Sequence, residues 1–369
     1  MTDDRTLLRV GEAVDRMVTV DVSARGLIRQ LYDAARASLD NQPLTLTAAR
    51  RLADATKPGQ TVIVATGLPV RGWFSPAISE NDGPVGAATL ARSLYAALDA
   101  VPILICEEEQ VPVLRACVRA AGLTIASLEQ IQAARNSPDA VPGRGTPAAV
   151  VQGFPADDKK AKEEAKRLLD TGPSGLVSIE RQGANAKGVY HYGRGEANKR
   201  EIMAKVEELF EQAKSRGVLT IGIGDGGNEL GMGRIKELVR KEVPYGAKCQ
   251  CPCGIGMAPE FSPDILICAT VSNWGAWGIS ACLAAIKGDL HVLHSPQVEL
   301  DVIRACTDAG GVDGLTAYIE PIVDALPAQM CANVVEILQA IVRNGLSPPK
   351  LFRQQPAETA SVPTSGGRT

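Results

Sequence analysis

The segment at 220–233, TIGIGDGGNELGMG, runs from β-prone residues into a glycine-rich turn that carries polar side chains. Asp225 and Glu229 offer carboxylates there, and Asn228 offers an amide. Hard cations such as Mg²⁺ and Mn²⁺ prefer oxygen ligands, and clustered glycines allow positive φ and close approach of a ligand. Asp225 and Asn228 are therefore predicted to be catalytic, and Asp225 and Glu229 to bind a metal. Helix capping would also explain Asp225 or Asn228 taken alone. The glycines predicted to line the substrate are Gly226 and Gly227.

Three other apolar runs, at 61–67, 176–179 and 265–270, are also followed by residues with polar or aromatic groups. Those residues are Glu80 and Asp82, then Glu180 and Arg181, and finally Ser272, Asn273 and Trp274. In an open parallel sheet the binding crevice lies at the carboxyl ends of the strands, where helix N-termini point free N–H groups. These residues and the glycine-rich turn are therefore expected to form one site.

Apolar runs alternate with amphipathic segments along the chain, which is the pattern of a parallel sheet covered by helices. Strands are predicted at 61–67, 101–106, 176–179, 218–223 and 265–270. Helices are predicted at 27–39, 86–98, 111–121, 198–216, 229–241 and 275–287. The predicted fold class is α/β, with a mostly parallel, Rossmann-like sheet, helices on both faces and room for a second, smaller α/β subdomain.

Two segments interrupt this alternation. The Pro/Gly/Ala-rich stretch at 136–147 is predicted to be a surface loop or a subdomain junction, and the Pro/Ser/Thr/Gly-rich stretch at 346–369 to be a disordered tail. Residues 1–345 are accordingly assigned to one catalytic domain.

The composition argues against nucleic-acid and membrane partners. The net charge is −3, the pI is near 5.8, and the basic residues are dispersed rather than clustered. No run approaches the roughly 18 apolar residues of a membrane span, and the acidic N-terminus lacks the apolar core of a signal peptide. We therefore expect a cytoplasmic protein, and the sequence leaves a homo-oligomer open.

The nine cysteines suggest buried thiols in a reducing compartment rather than a disulfide framework. Cys249, Cys251 and Cys253 alternate, but zinc sites usually combine paired C-x₂₋₄-C units with a fourth ligand, so packed thiols are expected here. His191, in GVYHYGRG, is a candidate acid or base because imidazole titrates near neutral pH.

Five motifs occur in an order that resembles the D-glutamate cyclase family, in the form without the additional domain of its mitochondrial members. They are SENDGPVGA, SIERQGANAKGVYH, TIGIGDGGNELGMG, SNWGAWGISA and VDGLTAYIEPIVDALP, within a likeness that runs from about Val20 to about Val342. The resemblance implies a lyase that interconverts D-glutamate and 5-oxo-D-proline plus water. The expected partner is a small acidic amino acid or its lactam.

The resemblance also places site residues. A divalent cation, Mg²⁺ or Mn²⁺, would offset the charge of the substrate carboxylate, and no nucleotide cofactor is expected. The metal-ligand candidates are Asp82, Asp225, Glu229, Asp313, Glu320 and Asp324. Glu180 would take the ammonium proton, Arg181 would grip the α-carboxylate, and Asn273 would donate to the oxyanion beside Trp274.

Two alternatives remain open from the sequence. A metal-dependent phosphatase on the same scaffold would use an equivalent acidic cluster, and some members of the family are linked with such chemistry. A non-catalytic metabolite-binding protein would use the same crevice without turnover.

Overall fold

A seven-stranded parallel sheet forms the centre of the computed structural model, which describes residues 2–139 and 145–347. Its strands are β1 (Thr61–Ala65), β2 (Val101–Cys106), β3 (Thr124–Ile125), β4 (Ala148–Gly153), β5 (Gly175–Ile179), β6 (Leu219–Gly224) and β7 (Ile265–Cys268). Their order across the sheet is β3-β4-β2-β1-β5-β6-β7, and each neighbouring pair is parallel. The strand order reverses between β1 and β5, which is where open α/β sheets bind ligands.

Helices cover both faces of this sheet. They are α1 (Asp4–Val18), α2 (Leu27–Ala37), α3 (Leu44–Ala55), α4 (Pro84–Leu98), α5 (Val111–Ala120), α6 (Leu128–Arg135), α7 (Asp158–Leu169), α8 (Val206–Ser215), α9 (Lys236–Glu242), α10 (Ser272–Lys287), α11 (Pro296–Asp308) and α12 (Ala328–Leu346). Along β1, Val62 and Val64 pack into one hydrophobic core, whereas Ile63 and Ala65 pack into the other. Strands that are buried on both faces have continuous apolar sequences, as predicted for this sheet. The predicted Rossmann-like α/β fold is confirmed.

Two predicted helices begin later than expected. The helix predicted at 198–216 starts only at Val206, because the Asn198 amide is bonded to the Gln182 side chain and holds that residue in a loop. The helix predicted at 229–241 starts at Lys236. Gly231 there has a φ of 124°, and a Cβ on Gly233 would meet the Glu260 carbonyl oxygen at 2.4 Å, so the chain turns before the helix begins.

A small antiparallel hairpin, β8 (Ile322–Val323) and β9 (Leu326–Pro327), lies apart from the main sheet. Its two turn residues, Asp324 and Ala325, both have left-handed backbone, with φ values of 50° and 61°. This is the turn geometry of tight two-residue hairpins, which usually carry Asn or Gly. The Asn81 amide binds the hairpin by donating to the Ile322 carbonyl oxygen at 2.8 Å.

The two low-complexity segments fall partly or mainly outside the described residues. The stretch at 136–147 connects α6 to β4, and its residues 140–144 are not among those described. Of the tail predicted at 346–369, the structure describes only Leu346 and Ser347. Across the described chain, no helix combines the length and apolar character needed to cross a membrane.

Candidate active site

Carboxylates converge at the carboxyl ends of β5 and β6. Glu180 directly follows β5 with a φ of 42°, and Asp225 directly follows β6. Asp82 closes the long loop between β1 and α4, and Asp324 occupies the turn of the β8–β9 hairpin. Left-handed backbone at Glu180 and Asp324 is costly for a residue with a side chain, and such strain is concentrated at functional sites.

Two overlapping groups of these residues bring carboxylate oxygens close together. Asp82, Asp225 and Asp324 each offer an oxygen within 4.8 Å of the others, and so do Glu180, Asp225 and Glu229. Asp225 belongs to both groups. The fold thus gathers residues from four separate stretches of the chain into what we call the carboxylate cluster: Asp82, Glu180, Asp225, Glu229 and Asp324.

The N-terminus of α10 holds two members of the carboxylate cluster in place. Asp82 accepts hydrogen bonds from the backbone N–H groups of Ser272, at 2.8 Å, and Asn273, at 2.7 Å. Glu180 accepts a bond of 2.6 Å from the Ser272 hydroxyl. Negative charge at a helix N-terminus is favourable, so α10 both orients these carboxylates and stabilises them.

Glu229 holds the shape of the glycine-rich turn. Its carboxylate accepts backbone N–H bonds from Asp225 at 3.2 Å and Gly227 at 2.8 Å, and a third from Gly226. Gly226 and Gly227 are predicted to line the substrate, and their N–H groups are not available for that contact because they already bind the Glu229 carboxylate. Their small size matters instead, since a Cβ on Gly227 would lie 3.0 Å from Val243.

Burial and mutual repulsion raise the pKa values of the cluster. Burial is the largest cause for Asp82, Glu180 and Asp225, whose pKa values lie well above the usual range, and neighbouring carboxylates raise them further. Burial also raises the pKa of Asp324 to about 6. A guanidinium nitrogen of half-exposed Arg25 lies 3.7 Å from an Asp225 oxygen. One half-exposed arginine does not neutralise the negative charge of the carboxylate cluster, whereas a hard cation bound by the carboxylate oxygens would.

Arg181 does not reach the crevice. Its terminal nitrogens bind both carboxylate oxygens of Glu107, at 2.7 and 2.8 Å, and they also donate to the carbonyl oxygens of Gly67 and Ala204. The Arg181 and Glu107 side chains are 0% and 1% exposed. The predicted grip on a substrate carboxylate is corrected to a buried ion pair that ties three loops together.

Asn273 and Trp274 are also structural. The Asn273 side-chain oxygen accepts bonds from Gly83 N–H at 2.9 Å and Gly86 N–H at 2.7 Å, so it caps α4 rather than facing an oxyanion. Trp274 is fully buried and stacks on Trp277, with ring centroids 6.5 Å apart. The predicted substrate-binding roles of both residues are therefore corrected.

The predicted catalytic groups Asn228 and His191 contact each other rather than the cluster. The Asn228 amide donates to the His191 carbonyl oxygen at 2.9 Å. The His191 ring is buried, with its Nε2 atom 3.3 Å from the Cys251 sulfur and 3.6 Å from the Cys253 sulfur. His191 thus lies among thiols, and the Asn228 side chain links the glycine-rich turn to the backbone at His191.

Two acidic residues of the C-terminal motif do not join the cluster. Glu320 is exposed to solvent and does not belong to either group of converging oxygens, contrary to its prediction as a metal ligand. Asp313 is fully buried, but its oxygens accept backbone bonds from Thr316 at 2.8 Å and Ala325 at 2.9 Å. Asp313 therefore fixes the hairpin turn that presents Asp324.

A sequence model of the family described as D-glutamate cyclase-like, C-terminal, matches residues 14–339. The chain belongs to this family. Among curated proteins, the human protein named "D-glutamate cyclase, mitochondrial" is 26% identical over 335 residues, which cover 90% of this chain and 47% of that relative. This D-glutamate cyclase-like chain therefore spans about half the length of that curated relative.

Within this D-glutamate cyclase-like fold, sequence reasoning placed Glu80 and Ser272 at the site without giving them a role, and it did not single out Arg25 or Arg71. Glu80 is buried with one carboxylate oxygen lacking a partner among the described residues, and the charge of Asp82 helps to raise its pKa, after burial and Asp324. Ser272 orients Glu180. The Arg25 and Arg71 charges act on Asp324 and Glu80. Both arginines precede a glycine in a loop, and that pattern is too common to have identified them.

Proposed function

We propose that the chain is a hydro-lyase that interconverts D-glutamate and 5-oxo-D-proline plus water with the help of a divalent cation. The observation that carries the proposal is the convergence of Asp82, Asp225 and Asp324 oxygens within 4.8 Å of one another, in a member of the D-glutamate cyclase-like family. In the direction of ring closure, the amine nitrogen forms a bond to the side-chain carboxyl carbon. A C–O bond of that carboxyl breaks, and the nitrogen's two lost protons balance the released water.

The donor set fits a hard divalent cation. All candidate ligand atoms are carboxylate oxygens, and among the described residues no buried cationic group neutralises them. We propose that Asp82, Asp225 and Asp324 hold the ion, with Glu229 shaping the turn behind Asp225. When bound, Mg²⁺ or Mn²⁺ would offset the charge of the substrate's carboxylates and polarise the carboxyl group under attack.

Glu180 is the proposed proton acceptor. Its pKa is raised by burial and by neighbouring carboxylates, so it binds a proton more readily than a solvent-exposed glutamate does. The Ser272 hydroxyl donates to one Glu180 oxygen at 2.6 Å and leaves the other oxygen available to an amine. The strained backbone at Glu180 keeps this carboxylate directed to the same edge of the sheet as Asp225.

Arg25 and Arg71 are proposed to replace Arg181 as the groups that attract the substrate's α-carboxylate. Arg25 is half exposed and lies 3.7 Å from Asp225, so it can move toward a bound anion. Arg71 lies in the loop after β1, and its charge opposes the rise in the Glu80 pKa. Both side chains therefore supply positive charge beside an acidic site that must admit an acidic substrate.

The test is substrate profiling of the purified chain. D-glutamate, L-glutamate, 5-oxo-D-proline, 5-oxo-L-proline and a panel of phosphate esters would be incubated without added metal, then with Mg²⁺ or Mn²⁺. We expect cation-dependent exchange between D-glutamate and its lactam. Release of inorganic phosphate alone would favour the phosphatase alternative, and thermal stabilisation by a ligand without turnover would favour a binding protein.

A further inference from the structure

A second group of metal-binding side chains lies apart from the carboxylates. The His191 Nε2 atom and the sulfur atoms of Cys249, Cys251 and Cys253 all lie within 4.8 Å of one another. The Cys249 sulfur is 3.5 Å from that of Cys251 and 3.2 Å from that of Cys253, and His191 Nε2 is 3.3 Å from the Cys251 sulfur. The fourth ligand that the cysteine spacing lacks is therefore supplied by a distant part of the chain.

These distances fit one tetrahedral ion. Zn–S bonds of about 2.3 Å place two sulfur ligands about 3.8 Å apart in a tetrahedron, so the observed separations need only a small outward shift. A disulfide would require sulfur atoms about 2.05 Å apart, and all three cysteines are free. An iron–sulfur cluster would hold its cysteines farther apart, because its own iron and sulfide atoms lie between them.

The surrounding backbone is built to present these ligands. The Asn185 amide donates to the Cys253 sulfur at 3.3 Å and to the Gly256 carbonyl oxygen at 2.7 Å. Gly256 has a φ of 85°, and a Cβ there would meet the Gly246 carbonyl oxygen at 2.1 Å, so only glycine fits. N–H donors to a ligating sulfur are the outer contacts that stabilise a thiolate in metal sites.

The cluster joins two long irregular segments. His191 lies between β5 and α8, and the cysteines lie between α9 and β7, where the described chain has no regular strand or α-helix from 243 to 264. Loops of this length inside a compact domain need their own means of support. Hydrogen bonds also connect these segments near the cluster, among them Gln250 N–H to the Gly195 carbonyl oxygen at 2.9 Å and Lys187 Nζ to the Cys253 carbonyl oxygen at 2.8 Å.

We propose that His191, Cys249, Cys251 and Cys253 bind one Zn²⁺ in a closed structural site that clamps the loop after β5 to the loop before β7. Three thiolates and one imidazole select a soft or borderline cation, whereas the carboxylate cluster selects a hard one. Four protein ligands leave no open position for a substrate. The clamp reaches the glycine-rich turn through the Asn228 amide, which donates to the His191 carbonyl oxygen.

The experiment measures zinc in the full chain, purified under reducing conditions after growth with added Zn²⁺. We expect about one Zn²⁺ per wild-type chain by elemental analysis, and strongly substoichiometric zinc in Cys253→Ser and His191→Ala. Matched controls are Cys117→Ala, a core thiol, and His291→Ala, an exposed imidazole; both should retain zinc. Asp225→Asn should also retain it, which separates this site from the carboxylate cluster.

Wild-type protein alone provides the second measurement, in case a ligand variant fails to fold. Metal-free chain reconstituted with Co²⁺ should show the absorption of a tetrahedral ion with a thiolate-to-cobalt charge-transfer band, and chelation should lower the Tm by several degrees because the ion binds only the folded state. Folded wild-type chain that takes up neither ion would overturn the proposal. So would undiminished zinc in folded Cys253→Ser, or a mass lowered by the two hydrogens of a disulfide.

Discussion

Two neighbouring regions at the carboxyl edge of the sheet bury carboxylates in opposite ways. Glu107 follows β2 and is fully paired with Arg181, which binds both of its oxygens. The carboxylate cluster at β5 and β6 contains several acidic groups, and the positively charged side chain that pairs with it in the described chain is half-exposed Arg25, 3.7 Å from Asp225. The protein therefore neutralises buried charge with its own side chain at Glu107 and leaves the cluster acidic.

This difference separates an architectural charge from a charge kept for a ligand. A buried ion pair in which both carboxylate oxygens are bonded fixes the loops around it but offers nothing to a substrate. Carboxylates that repel one another are costly without a counterion, and the cost is relieved when they take up protons, as their raised pKa values indicate, or when a cation binds them. Substitutions in the Arg181–Glu107 pair, the neutralised side, and in the carboxylate cluster, the acidic side, test this difference.

The largest expected effect is on stability, at the neutralised side. Arg181→Met leaves the Glu107 carboxylate buried without its partner, and breaking such a pair costs about 3–5 kcal/mol in the free energy of unfolding. Chemical denaturation would measure it, with Arg216→Met as control, because the exposed Arg216–Asp170 pair contributes about 0–1 kcal/mol. Unchanged stability together with weakened substrate binding would contradict this role and indicate that Arg181 binds the substrate.

On the acidic side, removing one charge is expected to affect turnover rather than folding. Asp225→Asn removes the residue shared by both oxygen groups, and turnover should fall at least about 100-fold, the upper end of the loss seen when even the outer partners of metal ligands are changed. The variant's Tm without added cation should equal or exceed that of wild type, because repulsion decreases. Asp170→Asn, at an exposed position, is the control. A large drop in Tm would mean that Asp225 is structural.

The pH dependence of stability should distinguish the two sides as well. Burial raises the pKa of Asp324 from 3.8 to about 6, so the folded state binds a proton more tightly than the unfolded state does. The resulting stabilisation is fully present below pH 3.8 and is lost as the pH rises through about 6. Without added cation, Tm should therefore fall mainly between pH 3.8 and about 6.

Added Mg²⁺ should flatten this decrease in Tm, because the ion replaces the proton as the partner of the carboxylates. Asp324→Asn should flatten it without Mg²⁺. A Tm profile that Asp324→Asn leaves unchanged would assign the effect to another buried acid, such as Glu299 or Asp15.

The smallest expected effect concerns the hairpin that presents Asp324. Ala325 has a φ of 61°, where a side chain costs roughly 1–2 kcal/mol, and glycine relieves that cost while loosening the unfolded chain by about 0.4–1 kcal/mol. Ala325→Gly should therefore raise the free energy of unfolding by roughly 0–1.6 kcal/mol. Ala325→Val should lower it. Equal stability of the glycine and valine variants would show that the turn relaxes easily and does not fix Asp324.

The sequence could predict the position of residues that directly follow a buried strand. Glu180 and Asp225 sit at the ends of apolar runs, and parallel strands place such positions at one edge, so their meeting follows from the pattern. Five of the seven strands of the sheet and six of the twelve helices in the described chain follow from the same alternation. Strand β4 was not predicted because its short AAVVQG sequence directly follows the Pro/Gly-rich segment at 136–147, which was assigned to a loop.

The sequence could not predict which side chains pair with each other when the pairing depends on contacts between distant segments. Arg181 pairs with Glu107, 74 positions earlier, and nothing in its spacing says whether a guanidinium will meet a substrate or another strand end. His191 meets Cys251 across 60 positions in the same way. Alternating cysteines suggested one strand face, but Gly254 and Gly256, both with positive φ, fold that segment into turns.

The Asn81 bond to Ile322 joins positions 241 residues apart, and it has a consequence for synthesis on the ribosome. Domains generally begin to fold during translation, at about 5–20 residues per second. The last strand of the main sheet, β7, ends at Cys268, well before the hairpin at Asp324 is made. A nascent chain can therefore complete its sheet while still lacking Asp324, so the cation site that we propose becomes complete only after the hairpin has been synthesised.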